Sequence, residues 1–267
     1  GSLIAICIVS NLPQPMKLSS VIWEYLSGNE VSIESIYEID EDFKKFIENA
    51  ENIQAKLANL NEDEFQSLFI HNFTINDSFD NIVELVQSGS SKLVKKDDLS
   101  KFIQLSKEFR IHEFDCQLKE LKKGFDIVMT IKNITSILRP DELKLLVCGE
   151  PNCDIEQMKK MIVVSCIRNE KKIQEMFWNV MNHFSIKERL SFIRFASGNL
   201  GLPAPGLKWD ENIKVTVKPF RNNTEKLMHA STCSSAVTIP FFESEDELKK
   251  IMKISIDNSG IITDSKE

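Results

Sequence analysis

Hydrophobic residues recur every three to four positions over most of the first 160 or so residues, and helical and strand periods mix only after that. Leu18, Val21, Ile22, Tyr25 and Leu26 fall on one helical face behind the loop-forming Pro13 and Pro15. Glu34 to Tyr37 and Glu41 through about Leu60 predict two more helices with acidic starts, the second carrying Phe43, Phe46, Ile47, Ile53 and Leu57. From Phe65 to Val94 the alternation of Phe69, His71, Phe73 and Ile75 predicts short strands, with a turn at Ser88-Gly89-Ser90-Ser91. Helical spacing resumes at Asp97-Asp98 and continues with breaks to about Ile137. Arg139-Pro140-Asp141 then opens a helix that ends near Cys148-Gly149.

Between Lys160 and Glu170 the periodicity lapses, which predicts a linker. Beyond it the pattern predicts helices at Ile173–Phe184 and Ile186–Ala196, a Gly/Pro-rich loop, a strand at Ile213–Val217, a strand at Ala236–Ile239 and a helix at Glu245–Asn258. This order predicts an α+β chain in two parts: a mostly helical first lobe, residues 1 to about 165, and a smaller α+β lobe over about 169 to 267. The stretch Thr263 to Glu267 reads as a polar tail.

Composition narrows the function classes. A net charge of -7 without a basic, aromatic-laced stripe argues against a nucleic-acid surface. The apolar run Leu3 to Val9 is far shorter than the roughly 20 residues that span a bilayer, so it reads as a buried element and no membrane partner is expected. Six cysteines are scattered without the density of a secreted disulfide scaffold, which predicts an intracellular protein, cytoplasmic or nuclear.

Cys233 ends the segment Leu227-Met228-His229-Ala230-Ser231-Thr232-Cys233, just ahead of the alternating Ala236-Val237-Thr238-Ile239. Upstream lie Phe177-Trp178, Glu188-Arg189 and Arg194-Phe195-Ala196-Ser197-Gly198, the last leading into Leu202-Pro203-Ala204-Pro205-Gly206. In this order the segments resemble the carboxyl-terminal lobe of HECT-type ubiquitin ligases. Further back, Val21-Ile22-Trp23-Glu24-Tyr25-Leu26, Arg110-Ile111-His112-Glu113 and Leu146-Val147-Cys148-Gly149-Glu150-Pro151 resemble the first lobe, especially in large ligases that join propeller repeats to a HECT domain. Since a complete domain extends further at its amino end, the resemblance implies an amino-terminal part outside this sequence.

The resemblance implies a bilobal HECT-like fold and an E3 ubiquitin transferase. Cys233 would carry ubiquitin as a thioester, and the hydroxyls of Thr232 and Ser231 would support the transfer. Phe102, with a contribution from Phe69, would line the groove that receives a ubiquitin-conjugating enzyme. Partners would be that enzyme, ubiquitin and protein substrates, with no cofactor and no metal. Ser165 to Asn169 would be the interlobe hinge, here without glycine. Where relatives carry a His before the Thr-Cys pair and a Phe and an Asn after it, this chain has Ser231, Ser234 and Ser235.

Plainer readings stand beside these. The other cysteines read as small buried hydrophobes, and Cys148, Cys153 and Cys166 lack the paired spacing of a zinc site. His71, His112 and His183 read as structural. By spacing alone Phe102, Leu105 and Phe109 form a core stripe. Two other function classes remain open: a HECT-like module that binds a conjugating enzyme or ubiquitin without taking the thioester, and a thiol hydrolase, which needs a histidine within reach of Cys233.

Overall fold

The computed structural model of the protein describes residues 1–129, 137–166, 170–209, 211–218, 227–242 and 244–258. The expected tail at 263–267 and residues 167–169 of the expected hinge lie outside them. By internal contacts the chain divides into two compact units. One comprises Gly1–Ser2 with the described residues of Leu18–Pro140, the other Leu3–Lys17 with those from Asp141 onward.

Helix α1 (Ser2–Ser10) buries Ile4, Ala5 and Cys7 but leaves Leu3, Ile6 and Val9 exposed, so only half of the expected buried element is buried. The first unit then runs through α2 (Ser20–Leu26), α3 (Ile33–Tyr37), α4 (Glu41–Gln54) and α5 (Glu62–Leu68). It continues with β1 (Thr74–Asn76), β2 (Ile82–Glu84), α6 (Leu99–His112) and α7 (Asp115–Val128). Caps set the starts: Asp40 accepts from the Phe43 amide at the head of α4, and Asn61 and Glu64 form a reciprocal capping box on α5. That box corrects the strand expected from Phe65 onward. The Asn61-x-x-Glu64 signal starts a helix that buries Phe65, and Phe69 is its C-cap residue, with its amide bonded to the Phe65 carbonyl. Thr74–Asn76 and Ile82–Glu84 pair antiparallel, and Asn72 and Leu93 form an isolated antiparallel bridge. Helix α4 also stops before the expected Leu60, at Gln54.

The core of this unit is aromatic: Phe43, Phe65, Phe69, Phe73 and Phe102 pack with Ile47, Leu99 and Ile103. Each fully buried ring contributes roughly 2–3 kcal/mol relative to an exposed one.

The second unit comprises α1, α8 (Pro140–Cys148), α9 (Ile155–Met161), β3 (Ile162–Cys166), α10 (Glu170–His183), α11 (Ile186–Ser197), β4 (Ile213–Lys218), β5 (His229–Ser231), β6 (Ala236–Pro240) and α12 (Glu245–Asn258). Its sheet has the order β3-β4-β6-β5; the first three strands are parallel and β5 is antiparallel to β6. The expected linker is overturned here. Ile162-Val163-Val164 is a β-branched run that buries Ile162 and Val164 and pairs with Ile213–Val215, so the segment is a sheet strand. By contacts the compact units divide between Pro140 and Asp141. Ile213, Val215, Val237 and Ile239 meet Phe177, Phe192, Ile193 and Met252 in the core, while Lys214 and Lys218 point outward, as period-two alternation requires.

Candidate functional site

Strands β5 and β6 form a hairpin in which Ser231 pairs with Ala236, leaving Thr232-Cys233-Ser234-Ser235 as its loop. Thr232–Ser234 makes one turn of 3-10 helix, and Ser235 reverses the chain in the left-handed region, φ 46 and ψ 42. Three bonds fix this loop. The Ser235 amide donates to the Thr232 carbonyl (3.2 Å), and the Lys214 amide on β4 donates to the Ser235 carbonyl (2.8 Å). The Ser234 hydroxyl reaches Ser231, 2.9 Å to Oγ and 3.3 Å to the carbonyl oxygen. Cys233 sits at the tip and its side chain is exposed.

Helix α11 supports the loop from below. Its capping box, Ser185 with Glu188, opens the helix, and Gly198 closes it at φ 76, its amide bonded to the Arg194 carbonyl (2.8 Å). A Cβ placed on Gly198 would lie 3.9 Å from Thr232 Cβ, so the end of this helix abuts the cysteine turn. The Phe195-Ala196-Ser197-Gly198 segment therefore has a structural reason: it ends the helix against the loop that presents the thiol. Met228 and Ala230 face the core, and the Met228 amide donates to Ser255 Oγ on α12 (3.1 Å), which anchors β5. His229 and Ser231 point to the opposite, exposed side.

Two expected supporting hydroxyls thus flank Cys233, Thr232 next to it and Ser231 two residues away, the latter already engaged by Ser234. Among the described residues no imidazole hydrogen-bonds Cys233. His71, His112 and His183 are engaged by the Asn72 carbonyl, Asp115 and the Asn179 carbonyl.

The remaining thiols differ from one another. Burial pushes the Cys153 thiol up to about 12, with the Arg189 charge only partly opposing it, so this thiol is inert. Cys7 is raised as well, by burial first and by Cys148 second. Cys116, expected to be buried, is exposed beside α7's first turn. Among the described residues no three His, Cys, Asp or Glu side chains are placed to hold a metal ion.

In the first unit Phe102 and Phe69 are both interior. Phe102 has 0% and Phe69 5% of its surface exposed, and the two rings meet edge to face at 5.6 Å within a cluster that includes Phe46, His71 and Phe73. The core reading of the stripe holds for Phe102, and neither ring presents a contact surface. Exposed apolar side chains lie on either side of Phe69, at Leu68 (54%) and Ile70 (76%), and at the β1–β2 tip, where Phe79 is 75% and Ile82 71% exposed. Phe79 borders an open cleft of about 390 Å³ lined also by Asp77, Val83, Phe109, His112 and Phe114. The signal was present in the sequence, since Asn76-Asp77-Ser78-Phe79-Asp80-Asn81 is a turn with an aromatic placed at its apex.

Arg110 holds that tip in place. Its guanidinium donates to Glu113 (2.6 Å), Ser78 Oγ (3.2 Å) and the Asn76 carbonyl (3.2 Å), pairs with Asp40 (3.2 Å) and lies over the Phe43 ring. Glu113 in turn accepts the Ser78 amide (2.6 Å). Asp77 is held below the usual carboxylate range by hydrogen bonds, above all from Asn81.

The model of the HECT-domain (ubiquitin-transferase) family matches residues 1–261. Similar proteins include the E3 ubiquitin-protein ligase HERC2 of Mus musculus, 25% identical over 258 residues that make up 96% of this chain and 5% of that protein. The E3 ubiquitin-protein ligase hyd of Drosophila melanogaster is 24% identical over 275 residues, 98% of this chain and 9% of that one. The E3 ubiquitin-protein ligase HUL5 of Saccharomyces cerevisiae is 25% identical over 208 residues, 77% of this chain and 22% of that one. The chain therefore spans less than a quarter of the length of these relatives.

Proposed function

The chain belongs to the HECT-domain (ubiquitin-transferase) family, and from that membership we propose that it acts in an E3 ubiquitin ligase whose Cys233 carries ubiquitin. The observation that carries this reading is the placement of Cys233. It is exposed at the tip of a hairpin whose Ser231 and Ser234 side chains are bonded to each other and whose backbone is tied to β4, so a bulky acyl donor meets the sulfur without unfolding anything.

The reaction has two steps. The Cys233 thiolate attacks the thioester of a ubiquitin-loaded conjugating enzyme, a C–S bond forms as another breaks, and the donor thiolate leaves. A substrate lysine amine then attacks the new thioester, forming an isopeptide bond and releasing the Cys233 thiolate while the amine proton goes to solvent. Exchange of one thioester for another is close to thermoneutral, so positioning contributes more than acid–base help. That suits a loop without a histidine bonded to the thiol.

The conjugating enzyme is proposed to dock on the first unit, whose core includes Phe102 and Phe69, with Phe79 and Ile82 as the apolar contact. No helix among the described residues is long and apolar enough to cross a membrane, and an intracellular setting with protein substrates belongs to this proposal. A single-turnover reaction with a ubiquitin-loaded conjugating enzyme tests it. A reductant-labile ubiquitin adduct on the wild-type chain, absent from Cys233→Ala, is the expected result; an adduct retained by Cys233→Ala contradicts it.

A further inference from the structure

We propose that Ser234 is a positioning residue for acyl transfer at Cys233: its hydroxyl fixes that of Ser231, which then donates to the oxygen of the reacting thioester carbonyl. This inference rests on the Cys233 thioester reading above.

The geometry of the two serines sets the direction of the bond. A hydroxyl has one proton, and the 2.9 Å contact from Ser234 Oγ to Ser231 Oγ falls in the ordinary O–H···O range, whereas the 3.3 Å contact to the Ser231 carbonyl lies beyond it. Ser234 therefore donates to Ser231 Oγ. Ser231 Oγ has accepted one bond and retains its own proton for an acceptor outside the loop, and accepting a bond makes that proton a better donor. The two residues straddle Cys233, so the proton is held on the loop that carries the sulfur. Thr232 also flanks the thiol, but among the described residues no hydrogen bond fixes its hydroxyl, which stays free to rotate. In this chain Ser234 and Ser231 occupy the positions flanking the Thr-Cys pair where the resemblance would place a Phe and a His, so the bridge is built from this chain's own departures.

The chemistry needs such a donor at one moment. As the Cys233 sulfur bonds the acyl carbon, the C=O electron pair moves onto oxygen. When the intermediate collapses the C=O re-forms and the departing sulfur takes the C–S pair. A donor aimed at that oxygen lowers the barrier and so raises the rate, in an exposed loop by about tenfold, less than in a dry oxyanion site.

The test uses ubiquitin carrying a carboxyl-terminal thioester to a small thiol, which charges Cys233 without any conjugating enzyme. Single-turnover rates are measured for the wild-type chain, Ser234→Ala, Ser231→Ala, the double variant, Ser234→Thr and Cys233→Ala, with iodoacetamide alkylation of Cys233 run in parallel. The two single alanine variants should each charge about tenfold more slowly. The double variant should be no slower than either, because the two hydroxyls act as one unit. Ser234→Thr, which keeps a hydroxyl, should charge within about twofold of wild type, and alkylation, which forms no oxyanion, should stay within about twofold throughout. Unchanged charging in Ser234→Ala overturns the inference, as do multiplying effects in the double variant or a parallel fall in alkylation, which would mark a loop that has simply lost its shape. A wild-type chain that takes no ubiquitin, or a Cys233→Ala that still does, overturns the thioester reading itself.

Discussion

The backbone amide of Lys214 donates to the carbonyl of Ser235 over 2.8 Å, two residues beyond Cys233. Through this bond the loop that presents the thiol is continuous with the ladder between β4 and β6, where Lys214 also pairs with Ala236. The tip of the hairpin is exposed, yet its exit is tied to the interior of the sheet.

That bond fixes Ser235 in a left-handed conformation, φ 46, which β-branched side chains resist. Ser235→Gly should change stability by no more than about 0.5 kcal/mol, whereas Ser235→Val should cost about 1–2 kcal/mol. Urea unfolding of both variants reads the difference. Equal stabilities would mean that the loop relaxes freely and is not held by Lys214.

Phe79 is exposed and lies outside the core, so Phe79→Ala should leave the urea midpoint unchanged. Charging from a loaded conjugating enzyme should fall by about tenfold or more, as for an aromatic anchor at an interface, while charging from a small-molecule ubiquitin thioester should be untouched. A loss by both routes would refute its role in docking, and no loss by either would place the docking surface elsewhere.

Arg110 and Glu113 pair at 2.6 Å with side chains 9% and 8% exposed. Arg110→Ala leaves the Glu113 charge without its guanidinium partner and should cost about 3–5 kcal/mol. Removing both charges together, as Arg110→Met with Glu113→Leu, should cost less than the single change. Chemical denaturation of the three proteins decides it; a double variant weaker than Arg110→Ala would contradict the reasoning.

Acid should loosen the second unit through Glu188. Lys253, and then the Ser185 amide of the capping box, hold this carboxyl down at about 2, against an ordinary value of 4.5. A carboxyl depressed on folding contributes stability above its unfolded value and loses it as pH falls toward the folded one. Wild-type stability should therefore fall between about pH 4.5 and pH 2 more steeply than that of Glu188→Gln. Parallel urea midpoints for the two proteins across that window would show that the network does not stabilise the fold.

Helices α10, α11 and α12 and strands β4 and β6 were legible because each is long enough to show its period, and because Gly198 and the acidic start of α12 mark their ends. Strand β5 was not, since three residues cannot display alternation. Phe69 was misplaced because Phe69, His71 and Phe73 mimic period two, although Asn61 and Glu64 already announced a helix. The loss of helical period that suggests a linker between Lys160 and Glu170 is, over Ile162–Cys166, the mark of a β-branched strand. At the candidate site the sequence pointed to Cys233 through its neighbours. The Ser234–Ser231 bridge depends on how the hairpin loop closes in space, which spacing along the chain does not encode.

Cys233 and Cys116 are both exposed thiols, and ubiquitin is proposed to load on Cys233 alone. The decisive measurement is to charge the wild-type chain from a loaded conjugating enzyme, quench without reductant, and map the ubiquitin carboxyl terminus by peptide mass spectrometry. The adduct is expected on the peptide containing Cys233, with Cys116 still open to alkylation. Ubiquitin found on Cys116 with Cys233 free would contradict it.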